Sequence, residues 1–235
     1  MAEGGIDLSV CVVAGPDERE NLSRLLSSLR DQAGRVECEA LVAETVAETV
    51  GQGLDSLADE FAGLAVVRLG GLTMTAAVNR LLALSRGRYL LLLPVSAWLG
   101  SDCPQRLVDF MDEAPEIGLV GPRLLDPEGR EIASGAEFPW LFRLARLPWP
   151  WPLPVLMGRT GEVDFCLGGC HLLRREALEE IGGLKAGGWG RAELDLYWRA
   201  RRLGWHNCYL REAVVRVEGV RGKGASLGAG FVAIC

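Results

Sequence analysis

The first half of the chain alternates between two hydrophobic patterns. Ile6–Val13 is an apolar, β-branched run that stops at Gly15-Pro16, which predicts a buried strand. Glu18–Arg30 places Leu22, Leu25, Leu26 and Leu29 at helical spacing. Cys38–Val42 predicts a second strand, Val50–Phe61 a helix, Ala65–Leu69 a third strand and Thr73–Leu84 another amphipathic helix. Tyr89–Leu93 is continuously apolar, as in a central parallel strand covered on both faces. This strand–helix alternation predicts an α/β fold with a parallel sheet and right-handed crossovers. Such sheets bind ligands beyond the carboxyl ends of their strands, so the residues just after each strand carry the information.

The second half is mixed. Ile117–Leu125, the turn Asp126-Pro127-Glu128-Gly129 and Arg130–Ala133 read as strand, turn and strand. Val163–Leu173 reads as a strand broken at Gly168-Gly169, which would put Cys166 and Cys170 on one face and His171 on the other. The spacing of those three residues departs from that of a zinc site. Arg175–Ile181 predicts a short helix and Glu193–Leu203 a longer one. Gly219–Gly230 is glycine-rich and reads as a loose tail. Neither a repeat nor a polar linker divides the chain. The expectation is one domain over 1–235, with a nucleotide-binding-like half at 6–97, an acceptor-side half at 98–218 and the tail at 219–235.

Composition narrows the function classes. A net charge of -6 in 235 residues lacks the basic surface a general nucleic-acid binder needs to displace counterions. The apolar run at Tyr89–Leu93 ends at Pro94, far short of the ~20 residues of a membrane span. Met1–Asp7 has acids and glycines where a signal peptide has basic and then apolar residues. A cytoplasmic location follows as an expectation. The seven cysteines read as reduced thiols, most of them buried, rather than as a disulfide framework.

Several stretches, taken in order, resemble the inverting family-2 glycosyltransferases of GT-A fold. Their nearest likeness is to the rhamnosyltransferase-like branch that builds cell-surface glycans. They are Leu8–Val13 through Leu29; Ser85–Leu93; Gly121–Arg130 with Ser134-Gly135 and Phe138-Pro139; Cys170–Ala177; Ile181–Leu184; and Glu193–Trp205. The resemblance implies a Rossmann-like, mostly parallel sheet flanked by helices. It also implies a nucleotide-sugar donor and a glycan or lipid-linked acceptor. The family's aspartate for the nucleotide base follows its second strand, where this chain has Glu44. Its metal-binding Asp-x-Asp triplet follows the fourth strand, where this chain reads Pro94-Val95-Ser96, leaving Ser96 as the polar group. The histidine many relatives carry near the domain's end falls at Arg216 or Val217. No metal or other cofactor is therefore expected, and Arg216 is a candidate to neutralise the donor diphosphate, since its planar fork binds two oxygens.

The family's Glu-Asp-x-Asp appears here as Ala192-Glu193-Leu194-Asp195. Glu193 aligns with the base that takes the acceptor's proton, and Asp195 with the second aspartate. The extra methylene of Glu193 would displace its oxygen by more than an ångström, an error that costs about a hundredfold in rate. Acids at a helix start are also stabilising without any chemistry. Gly169 and Trp189 align with the acceptor pocket.

One segment stands outside this pattern. Phe138–Met157 holds five of the eleven prolines and three of the seven tryptophans. Trp140, Arg143, Arg146, Trp149 and Trp151 interleave aromatics with arginines, as at a bilayer interface or a partner-enzyme surface. A cytoplasmic protein seated on the inner membrane face is one consequence. Two functions remain: a degenerate, non-catalytic relative that binds a glycan or partner, which the missing metal motif favours, and an active, metal-independent transferase using Glu193.

Overall fold

The computed structural model describes residues 5–15, 18–32, 36–44, 61, 63–132, 135–136, 159–185 and 187–218. The segment 138–157, the tail from 219 onward and most of the helix expected at 50–61 lie outside the described residues.

The first half follows the hydrophobic pattern closely. Strand β1 (Leu8–Ala14) leads to helix α1 (Arg19–Arg30), then β2 (Cys38–Glu44) and β3 (Leu64–Arg68). Helix α2 (Met74–Leu84) starts where the Thr73 hydroxyl accepts from the Ala76 amide, and β4 (Tyr89–Pro94) follows. Several elements escaped the pattern reading: the short strand β5 (Ala97–Leu99), helix α3 (Cys103–Glu113), whose buried Leu107, Val108 and Met111 do have helical spacing, and, further on, the strands at 135–136, 161–162 and 206–217.

The second half contains β6 (Ile117–Leu125), β7 (Glu131–Ile132), β8 (Gly135–Ala136), β9 (Gly161–Glu162) and β10 (Phe165–Cys166). It continues with β11 (His171–Arg174), helix α4 (Arg175–Ile181), helix α5 (Trp189–Arg202) and the long strand β12 (His206–Val217).

The central sheet has the order β3-β2-β1-β4-β11-β6-β12-β5. Strands β3, β2, β1, β4, β6 and β12 run one way, and β11 and β5 run against them. The fold is thus α/β, with a mostly parallel sheet flanked by helices. One face packs α1 and α3 around Leu22, Leu25, Leu107 and Met111; the other packs α2, α4 and α5 around Leu81, Leu178 and Leu196.

A buried polar clamp ties the parallel strands together. The Ser9 hydroxyl donates to Glu39 Oε1 at 2.7 Å and accepts from the Gly87 amide at 2.8 Å. Arg86 donates to the same carboxylate through its amide and its guanidinium. A Cβ at position 87 would stand 2.6 Å from the Ser9 backbone nitrogen, so the lead-in to β4 passes β1 only as glycine.

The break at Gly168-Gly169 has a consequence the strand pattern did not anticipate. Both glycines have positive φ, +95 and +71, and the chain turns there instead of alternating. Cys166 therefore packs with the α5 face and Cys170 with the opposite one, not on a shared face. His171 falls on the side of Cys166, against Tyr197 of α5. Six described cysteines are free thiols, five of them buried.

Candidate active site

The sheet changes direction of winding between β1, which continues to β2, and β4 on its other side. That is where an open α/β sheet forms its crevice. A cavity of about 240 Å³ lies there. Val13 and Gly15 from the end of β1 and Pro94, Val95 and Ser96 from the end of β4 form one wall, with Met74 and Val78 of α2 beside them. Gly169 and Trp189 line it from the second half of the chain.

Gly169 is the meeting point. A Cβ there would lie 3.7 Å from Trp189 Nε1, 3.8 Å from Pro94 Cδ and 3.9 Å from Glu193 Oε1. Its left-handed backbone and its lack of a side chain let the end of β4 and the start of α5 converge.

Glu193 is 5% exposed. Helix α5 begins at Trp189, earlier than the sequence pattern implied, so Glu193 opens its second turn and not its first. Its carboxylate is held by a side chain: His171 Nε2 lies 2.6 Å from Oε1. On the other side of the ring, the Tyr197 hydroxyl lies 2.8 Å from His171 Nδ1. His171 and Tyr197 are both fully buried. Burial, then the nearby Cys166 thiol, pushes the Tyr197 phenol well above its ordinary range. Burial likewise pushes the Cys166 thiol up to about 12. Both stay protonated throughout the working range of a protein.

The remaining candidates are placed as follows. Ser96 lines the cavity, and its carbonyl accepts from the Glu218 amide just beyond β12. Arg216 lies on β12 opposite Trp98 and is not among the residues lining the cavity. Glu44 ends β2 beside Ala14, 4% exposed; among the described residues its Oε2 accepts no hydrogen bond, and Arg68 Nε stands 3.7 Å from it. Asp195 pairs with Arg199 at 2.7 Å, and that guanidinium also donates to the Ile181 and Gly183 carbonyls. Ser96, Gly169 and Trp189 thus line the cavity, Glu193 lies behind Gly169 and is not among the lining residues, and Asp195, Glu44 and Arg216 are held elsewhere. Trp140, Arg143, Arg146, Trp149 and Trp151 lie outside the described residues.

Three polar side chains near the cavity or Glu193 were not among the site candidates read from the sequence. Glu18 lines the cavity and accepts from the Gly15 amide at 2.6 Å. His171 and Tyr197 stand behind Glu193. The signal for His171 was its place in the apolar run Cys170-His171-Leu172-Leu173, since a buried imidazole requires a partner.

The residues at the end of β4 do not fit the divalent cation of the resembled family. Such a cation needs several hard oxygen ligands, and Pro94-Val95-Ser96 offers one hydroxyl. Among the described residues, no three His, Cys, Asp or Glu side chains converge to supply a set. None of the described residues lining the cavity is a lysine or arginine. No helix among the described residues is long and apolar enough to cross a membrane.

The family model described as glycosyl transferase family 2 matches residues 9–182. No curated protein matches the sequence. Among solved structures, GalNAc-T7 with UDP, GalNAc and Mn2+ superposes with a TM-score of 0.72 at 17% identity, covering 98% of this chain and 48% of that one. The S. aureus TarS fragment 1-349 in complex with UDP-GlcNAc superposes with a TM-score of 0.70 at 14% identity, covering 95% of this chain and 61% of that one. The chain thus spans about half of GalNAc-T7 and less than two thirds of the TarS fragment.

Proposed function

Because the chain belongs to glycosyltransferase family 2, we propose that it transfers a sugar, with inversion, from a nucleotide donor to a glycan or lipid-linked acceptor, using Glu193 as the base and no carboxylate-held cation. The relatives' complexes with UDP and UDP-GlcNAc support a nucleotide-sugar donor. The rhamnosyltransferase-like motifs suggest cell-surface glycan synthesis. The observation that carries the reading is the Glu193 carboxylate, held by His171 beside Gly169 at the junction of the two halves. A helix-start acid would need only backbone amides.

In the proposed step the acceptor oxygen attacks the anomeric carbon as the bond to the donor's phosphate oxygen breaks. The acceptor's proton passes to Glu193, and the nucleoside diphosphate leaves with the bonding electrons.

One observation favours a non-catalytic reading. The cavity lining includes the Glu18 carboxylate and, among the described residues, no cation to offset a diphosphate. Calorimetric titration with nucleoside diphosphates and nucleotide sugars, with manganese or with chelator, joined to an assay of diphosphate release, separates the two. The proposal expects donor binding and turnover that survive chelation, with turnover lost at least about a hundredfold in Glu193→Gln and donor affinity retained. Ligand binding without turnover would establish the non-catalytic reading, and turnover that requires manganese would overturn the metal-free one.

A further inference from the structure

We propose that His171 is the positioning residue of this site: its Nε2–H holds Glu193 Oε1 so that Oε2 is left for a sugar hydroxyl, and Tyr197 fixes the ring in the tautomer that can donate. This rests on the reading of Glu193 as the group that meets the acceptor.

The argument starts from the length of the side chain. Glutamate has one more rotatable bond than the aspartate it replaces in the resembled motif, and an unrestrained carboxylate loses both position and orientation. Here Oε1 lies 2.6 Å from a ring that is itself 0% exposed. A carboxylate that is to take the acceptor's proton must itself be bare and can only accept, so in the proposed site the hydrogen of that bond belongs to the imidazole. Among the described residues no second partner meets Glu193, which leaves Oε2 uncommitted.

The tautomer follows from the other ring nitrogen. Tyr197 keeps its phenol hydrogen and has two neighbours for it, His171 Nδ1 and the Cys166 sulfur. The Cys166 thiol donates to the Cys208 carbonyl at 3.4 Å. Thioether and thiol sulfurs are weak acceptors, whereas an unprotonated imidazole nitrogen is a good one. In the proposed arrangement a neutral ring gives its one hydrogen to Glu193 through Nε2, which leaves Nδ1 bare to accept the phenol hydrogen at 2.8 Å. The near-perpendicular rings, at 76°, lock the two side chains edge to face. Only part of this hydrogen-bonded relay is local: Glu193 and Tyr197 lie one helical turn apart on α5, whereas His171 comes from β11.

The test uses the full chain with ring-labelled histidine. The sequence has two histidines, and His206→Gln assigns the spectrum by removing the exposed one. Nitrogen-15 shifts should show His171 with Nε2 protonated and Nδ1 bare, and Tyr197→Phe should erase that single-tautomer signature. In the assay of diphosphate release, His171→Leu should lower kcat by roughly tenfold to a hundredfold with little change in donor KM. His171→Gln, whose amide can donate to Oε1, should recover most of the loss. An Nδ1–H signature in the wild type overturns the proposal whatever the activity. So does a folded His171→Gln no faster than a folded His171→Leu. A wild type with the Nε2–H signature and no turnover overturns instead the reading of Glu193 as a base.

Discussion

Asp195 accepts from Arg199 Nε at 2.7 Å, one turn along the same helix, and so faces the α4–α5 connection instead of the cavity. The same guanidinium donates to the Ile181 carbonyl and, at 2.7 Å, to the Gly183 carbonyl. One side chain thus closes the end of α4 against α5, and α5 is the helix that carries Glu193. Asp195 has an architectural job at a position where the resembled motif has its second aspartate.

Substitutions at this pair should register in stability and not in ligand binding. Asp195→Asn should cost about 0.5–1.5 kcal/mol, the worth of one partly exposed hydrogen bond. Arg199→Met should cost more, about 2–3 kcal/mol, because two carbonyls lose their donor at once. Denaturant unfolding measures both, and nucleotide-sugar affinity measured alongside should hold steady. A loss of donor affinity in Asp195→Asn, with stability unchanged, would place this carboxylate at the ligand instead.

The clamp on Glu39 makes an acid-sensitive contribution. Burial pushes this carboxyl up, but the Ser9 hydroxyl and the Arg86 amide and guanidinium outweigh it, so it lies below its usual range. A carboxyl depressed in the folded state stabilises fully above its unfolded value, about 4.3, and that contribution disappears as pH falls through the lower folded value. Glu39→Gln should therefore lower the thermal midpoint at pH 7, and its deficit should shrink as the pH is taken from about 5 to 3. Midpoints that fall in parallel for both proteins over that range would remove Glu39 from the account.

Phe138–Met157 can be tested without reference to the rest of the fold. If it is an interfacial element, the protein should co-sediment with anionic vesicles at low salt. Serine at Trp149 and Trp151 should weaken that binding by at most about 2–3 kcal/mol per buried aromatic. Wild-type protein left in the supernatant would make the segment a packed loop or a protein-facing surface.

The sequence by itself determined the frame. Val10, Val12 and Leu90–Leu93 leave no polar face, so strands covered on both sides were the consistent reading, and their alternation with amphipathic helices dictated the parallel half. The order of short motifs also pointed to family 2, and the parallel pattern pointed to the carboxyl ends of the strands without saying which two would flank the crevice. Only the tertiary structure decided what each polar residue does there. Glu193 and Asp195 are two residues apart and look alike in sequence, yet a helix turns side chains about 100° per residue and sends one to His171 and the other to Arg199. The Glu193–His171 pair spans 22 positions and two elements, with no local spacing to betray it. Two glycines of positive φ reset the alternation that would have put His171 on the far face. Short-range periodicity is written in the chain; which buried donor meets which acceptor is settled only when strands and helices pack.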